Sequence, residues 1–246
     1  MLGAGLVAVA FASGGRLGLS AQRGLQQQTE GTGTIEGRVR LTGQPVANSI
    51  VRMGADPYCA KLYGGKRPVQ EITVRSADGG LANVFVSLTG SFPETPVPAG
   101  PLTIDQQTCL YRPRVVGARV GQTLEIRNSD ETMHNIHSLS TKGNDFNVSQ
   151  PKAGMVYRVK LDHEELMLHI KCDVHSWMVD YVGVVNHPYF AVSGNGGTFK
   201  IAGVPAGTQT IRAWHERYGV VSVTVDVKPG ATTTLDLTYT GNEQAP

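Results

Sequence analysis

From residue 30 onward almost every readable segment alternates apolar and polar side chains with a period of two, and apolar spacing of three or four is nearly absent. Ile35-Glu36-Gly37-Arg38-Val39-Arg40-Leu41 is the clearest instance. Successive side chains of an extended chain point to opposite faces, so this pattern prescribes a strand with one buried face. The same reading makes strands of residues 70–75, 82–88, 114–120, 123–128, 156–161, 166–172, 180–185, 198–201, 209–215, 220–227 and 232–239. Turn chemistry separates them, as at Asp78-Gly79-Gly80, Gly194-Asn195-Gly196-Gly197 and Lys228-Pro229-Gly230. The fold class is all-β, built as paired sandwiches.

Composition agrees with that class and removes several functions. A chain of 246 residues makes one or two domains, and 40% apolar residues can fill their cores. The charged fraction, 17%, suits strands whose exposed faces carry Thr, Ser, Asn and Gln. The formal net charge is only +2 and no basic run gathers it, so nucleic acid is not an expected partner. The apolar, small-residue run Leu2 to Ser13 and the small-x-small Leu19-Ser20-Ala21 before Gln22 read as a signal peptide over 1–21, followed by a linker over 22–33. The expected location is periplasmic or extracellular. Arg16 follows the apolar run rather than preceding it, which leaves an uncleaved anchor as the alternative. No stretch reaches the roughly 18 to 20 apolar residues of a membrane span, so an integral membrane protein is not expected.

In an oxidising compartment three cysteines make a pair plus one thiol with another job. Cys59 (DPYCAKLY) and Cys109 (DQQTCLYRP) lie in loop-like sequence without histidine, whereas Cys172 lies in HIKCDVHSWM among potential metal ligands. A Cys59–Cys109 disulfide and a ligating Cys172 are predicted; three unpaired cysteines in a reducing compartment is the competing reading.

The Pro-rich stretch 93–101 reads as a linker, and Asn186-His187-Pro188 as a second boundary. The piece between them, about 102–187, holds six of the seven histidines. On either side, residues 34–51, 81–88 and the Gly197 to Thr208 run GTFKIAGVPAGT are similar to strands of the carboxypeptidase regulatory-like, transthyretin-type sandwich. The flanks are short for two independent cores, so the economical organisation is one smaller sandwich, 34–92 plus 189–240, interrupted by an inserted domain at 102–187. Three domains in a row is the alternative.

Within the insert, Cys172-Asp173-Val174-His175-Ser176-Trp177-Met178 is C-x2-H-x2-M, and His134 follows a predicted strand well upstream. A thiolate, two imidazoles and a thioether form the ligand set of a blue-copper electron-transfer site: sulfur suits Cu(I), imidazole suits Cu(II), and a short loop can hold three ligands rigidly. If 166–172 is an unbroken strand, Leu166, Leu168, Ile170 and Cys172 share the inward face and His169 points away. His137 would face opposite to His134. Zinc in a closed site of His134, His137, Cys172 and His175 is chemically plausible but leaves Met178 unexplained.

Residues 104–128, the His134-Asn135 pair and the Cys172 to Met178 loop resemble the cupredoxin family, the loop being similar to that of amicyanin. The resemblance implies a Greek-key sandwich and one copper ion held by His134, Cys172, His175 and axial Met178. It also implies that Asn135 steadies the cysteine loop; His137 and His169 are additions to the family pattern near the ligands, and Trp177 lies between His175 and Met178. Trp177 would give either an apolar docking rim with a short electron path or simple packing over the metal.

The leading functional reading is therefore an electron carrier that is not an enzyme, working between redox proteins of cytochrome or dehydrogenase type. No His-x-His pair offers a second catalytic metal, and polysaccharide-lyase chemistry lacks a catalytic set. The alternative is an extracytoplasmic binding or adhesion module with a structural zinc or copper site. In it the flanking sandwich would contact carbohydrate or protein, for instance through Trp214-His215-Glu216 and Tyr218. Asn147-Val148-Ser149 matches a glycosylation acceptor, a pattern common by chance.

Overall fold

The computed structural model describes Met1, residues 31–54 and residues 56–243. Apart from Met1, the signal-like segment and most of the 22–33 linker lie outside the described residues. Among the described residues there are seventeen strands and one short helix, and the protein is all-β. In chain order they are β1 (Thr32–Leu41), α1 (Pro57–Leu62), β2 (Phe85–Thr89), β3 (Leu102–Gln107), β4 (Leu110–Arg112), β5 (Val115–Arg119), β6 (Thr123–Asn128), β7 (His134–Ser138) and β8 (Asn147–Gln150). Then follow β9 (Val156–Lys160), β10 (Glu165–Lys171), β11 (Val179–Val185), β12 (Phe190–Val192), β13 (Thr198–Pro205), β14 (Gly207–His215), β15 (Gly219–Val227), β16 (Thr232–Thr234) and β17 (Leu237–Tyr239).

The strands form four sheets. One sandwich faces β5-β11-β10-β7-β8 against β4-β3-β6-β9, with Ile104, Leu124 and Ile126 from one sheet meeting Ile136, Leu168, Ile170 and Val182 from the other. The second faces β13-β1-β16, with β17 also on β1, against β12-β2-β14-β15. Its core is built on Ile35, Val39, Leu88, Ile201, Ile211 and Tyr239. This second sandwich draws strands from both ends of the described chain: β1 pairs with β13, and β2 lies between β12 and β14.

The two sandwiches share a third apolar layer of Phe85, Val115, Met167, Val185 and Trp214. A strand between two cores must be apolar on both faces. β2 is buried on both faces: Phe85 turns to the shared layer with the buried Ser87 beside it, while Val86 and Leu88 turn to the second core. Gly117 and Gly183 are direct partners on β5 and β11. A Cβ at Gly117 would lie 2.4 Å from Phe190, and one at Gly183 would lie 2.5 Å from Phe85. Two facing glycines thus open the slot in which both rings lie.

Departures from the sequence reading have local causes. Residues 70–75 form no strand; the segment is held by single contacts such as Gln70 N–H to the Ser49 carbonyl (2.9 Å) and the Arg75–Leu81 bridge. The predicted strand 232–239 is split into β16 and β17, both parallel to β1. Strand β10 is not unbroken: its register on β11 shifts between Glu165 and Leu168, and Met167 has φ +60°. This bulge turns Leu166 to the shared layer instead of the inner face; the inward parity holds from Leu168 on. Helix α1 went unpredicted, although Asp56-Pro57 is a helix-start pair. The Asp56 carboxylate accepts from the Tyr58 and Cys59 amides (2.8 and 3.1 Å), and Pro57, which has no N–H to lose, takes the first turn.

Candidate metal centre

Strand pairing brings the two histidines and the cysteine together. β7 runs antiparallel to β10 with Lys171 opposite His137, so the start of β7 lies beside the end of β10. Cys172 therefore leaves β10 next to His134 and Asn135. The loop after it closes on itself: the Met178 amide donates to the His175 carbonyl (2.9 Å), and the Cys172 amide to the Met178 carbonyl (3.1 Å). Cys172 Sγ accepts from the amides of Asn135 (3.3 Å) and His175 (3.4 Å). Asn135 Oδ1 accepts from the Asp173 amide (3.1 Å), which ties the loop to β7. His134, Cys172, His175 and Met178 are each at most 2% exposed, so the cluster has no open face to solvent.

The histidine rings meet through their Nδ1 atoms, 2.9 Å apart, and Cys172 Sγ lies 3.9 Å from His175 Nδ1. Each ring has a carboxylate behind it. His134 Nε2 is 3.0 Å from Asp130, and His175 Nε2 is 2.9 Å from Asp56. A carboxylate can only accept, so each Nε2 carries a proton and a neutral ring then presents Nδ1 as a bare lone pair. Two such lone pairs at 2.9 Å repel unless a cation or a proton sits with them. Nitrogens and sulfur bound to one first-row ion at roughly 2.0 and 2.3 Å come to rest at separations like these, and the residues present fit a metal.

Electrostatics point the same way. Burial pushes the Cys172 thiol up, but the adjoining His134 and His175 rings and the amides of Asn135 and His175 outweigh it and bring the group to about 6. Burial disfavours charge on His134, yet Asp130 and the Cys172 sulfur together raise its pKa. Burial also works against the Asp56 carboxylate, and the Cys59 amide, His175, Thr132 and the Tyr58 amide together hold it below its ordinary range.

Cys59 and Cys109 are joined, leaving Cys172 as the free thiol. Two further clusters, Asp56-Cys59-His175 and Cys109-Asp130-His134, use these bridged sulfurs, which are not thiolate ligands. Cys109 sits with Thr108 in the two-residue turn between β3 and β4, both at positive φ (55° and 56°). Side chains strain that conformation, and Asp130 compensates by accepting from both amides (2.9 and 2.7 Å).

Of the other expected neighbours, Trp177 lies against a ligand, while His137 and His169 turn away from the cluster. His137 turns out to the Asp173 carboxylate at 3.0 Å and does not join His134, so the four-ligand zinc set of His134, His137, Cys172 and His175 is not assembled. His169 lies on the opposite face of β10 and stacks on Tyr181 at 5.0 Å, beside Trp214, which removes it from the centre. Trp177 packs against His175 (ring centroids 5.0 Å) and donates to the Cys109 carbonyl (2.9 Å); it is buried and is not a docking rim. Trp214, His215 and Tyr218 are also buried, so they form no exposed platform for a sugar. Asn147 is engaged by Asn135 Nδ2 at 2.7 Å. Sequence reasoning missed Asp56 and Asp130. The i−4 position of Asp130 relative to His134 and the Asp56-Pro57 pair were the available signals.

No protein-family model matches the chain, and no curated protein matches it. Among solved structures it is similar to a purple cupredoxin from Nitrosopumilus maritimus, at 25% identity over 33% of this chain and 97% of that one, with a TM-score of 0.29. It is similar to a reduced mutant of amicyanin at 19% identity over 40% and 97%, TM-score 0.31. A copper-containing nitrite reductase from Thermus scotoductus matches at 20% identity over 37% of this chain, TM-score 0.32. Only 25% of the reductase's length is spanned.

Proposed function

We propose that the chain is an exported copper protein that carries single electrons between redox partners and is not itself an enzyme. The observation that carries this reading is the convergence of two Nδ1 atoms, each backed by a carboxylate, on a thiolate-prone cysteine in a buried pocket. Met178, buried at the end of the same loop, would add its thioether to the donors that hold the copper. Bound copper would supply a one-electron couple. The chain's part is to hold its donors still: Cys172 by two amides, the loop by Asn135, and each histidine by its carboxylate. Donors fixed in this way lower the rearrangement that accompanies a change of oxidation state.

Export is supported by the disulfide, which belongs to oxidising compartments. Among the described residues no helix is long and apolar enough to cross a membrane. The second sandwich is proposed to be of the carboxypeptidase regulatory-like type, serving as scaffold or as a contact surface for protein or carbohydrate. The partners are proposed to be redox proteins of cytochrome or dehydrogenase type.

A structural metal site in a binding module is the second reading, favoured by the enclosure of the donors. The visible and electron paramagnetic resonance spectra of the copper-loaded protein, beside Cys172→Ser and with metal counted, separate the two. An intense visible band with narrow copper hyperfine splitting, lost in the variant, supports the carrier. A colourless protein that retains zinc supports the structural site.

A further inference from the structure

Asp56 lies outside the strands of the sandwich that carries His134, Cys172 and His175, in a stretch whose Val51, Met53 and Cys59 enter that sandwich's core, and it reaches the cluster from the far side of His175. Its Oδ1 accepts from the Tyr58 and Cys59 amides, and its Oδ2 meets both His175 Nε2 (2.9 Å) and the Thr132 hydroxyl (2.9 Å). Every position of the carboxylate is thus prescribed by a neighbour. Helix α1 then lies over the outer edge of His175: Cys59 Sγ is 3.9 Å from Nε2, the disulfide fixes Cys59 to the β3–β4 turn, and Tyr63 Oη donates to the Thr108 carbonyl (2.9 Å). Left bare, the Nε2 edge would face solvent or a docking protein; instead His175 is 1% exposed.

We propose that Asp56 is the positioning residue of His175, holding the ring with its proton on Nε2 and its lone pair on Nδ1 aimed at Cys172 and His134, and that α1 is a covalently fastened cap over that ring. Groups behind a metal-bound histidine fix its tautomer and rotation in this way, and their loss weakens metal binding by about 10 to 100-fold. A redox partner consequently does not touch His175. The proposal rests on the metal-centre reading for its purpose, but its geometry can be tested without metal.

The decisive variant is Asp56→Asn, which keeps the helix cap, since asparagine caps as well as aspartate, and replaces the accepting carboxylate oxygen by an N–H donor. Long-range 15N–1H correlation spectra of the metal-free protein at pH 8 report which ring nitrogen of His175 carries the proton. The expected result is Nε2–H in the parent and Nδ1–H in Asp56→Asn. An unchanged tautomer in the variant, or Nδ1–H in the parent, overturns the positioning role. The cap is tested with Cys59→Ala/Cys109→Ala, in which Cys172 remains the sole thiol in either protein. Iodoacetamide should modify Cys172 at least tenfold faster than in the parent, and an equal rate in a folded variant, checked by circular dichroism, overturns the cap. Cu(I) affinity, measured by competition with a chromogenic chelator, should fall 10-fold or more in Asp56→Asn. If the parent binds no copper, the proposed function fails while the two metal-free measurements still decide the role of Asp56.

Discussion

The bond between Cys59 and Cys109 joins the stretch that carries Asp56 to the turn whose amides hold Asp130. Three residues before Cys59 stands Asp56, on His175; the Cys109 amide is held by Asp130, on His134. One cross-link therefore fixes the backs of both rings. It also closes a loop spanning 50 positions, and in the chain-entropy picture such a loop contributes about 4 kcal/mol. Cys59→Ala/Cys109→Ala should lose stability of that order, read from the guanidinium midpoint. A midpoint unchanged within error would show that the bridge contributes little beyond the contacts around it.

Cys172 should behave as an acidic thiol. Its folded pKa of about 6 lies below the ordinary 9.0, so the thiolate contributes stability that is fully present above pH 9 and is lost as the pH falls through about 6. Between those values the metal-free protein should become more stable with rising pH. The rate of alkylation by iodoacetamide should titrate near 6 in the folded protein and near 9 after unfolding, and a folded-state midpoint near 9 would contradict the arrangement of donors around the sulfur.

Met178→Leu tests the thioether. Leucine fills the same buried space at small packing cost, so copper should be retained while the reduction potential changes. Voltammetry beside a metal count reads both. An unchanged potential would remove Met178 from the ligand set.

At the shared layer, Gly183→Ala would bring a methyl group to 2.5–2.7 Å from the Phe85 ring. Such overpacking costs about 1 to 3 kcal/mol, read as a lower melting temperature, and Phe85→Leu in the alanine background should recover part of it.

His215, packed between Tyr218 and Tyr239 in the second core, should make that core acid-sensitive. Burial lowers its pKa from 6.5 to about 4. The neutral form is favoured in the folded state, so stability is fully present above 6.5 and is lost as the pH falls through about 4. Thermal melts of the metal-free protein from pH 7 to 4 should show that decline, and His215→Phe should flatten it.

Much of the fold was legible because most strands carry one apolar face in plain alternation; β6 was read from Thr123 to Asn128 without error at either end. Among the missed strands, β4 and β12 are only three residues long, too short to show an alternation, and others bury polar residues. β3 buries Gln106, which donates to the Arg127 carbonyl at 3.0 Å, and β7 buries His134, Asn135 and Ser138. An alternation of polarity cannot reveal a strand whose inner face is polar. The donors His134, Cys172 and His175 stood out by residue type and spacing. Their carboxylates did not, because Asp56 reaches His175 across 119 positions of chain, and nothing local marks such a contact. Asp56-Pro57 announced a helix start, but not what the helix would cover.

A lid sewn down by a covalent bond also imposes an order on maturation. With His134, Cys172 and His175 all enclosed, an ion that arrives after Cys59 and Cys109 have been oxidised must wait for a local opening of the chain. One that arrived earlier would be sealed in when they close and would guard Cys172 against pairing with the wrong sulfur. Loading and oxidation are then not independent events: the same protein exposed to copper before or after its oxidant should fill at very different speeds.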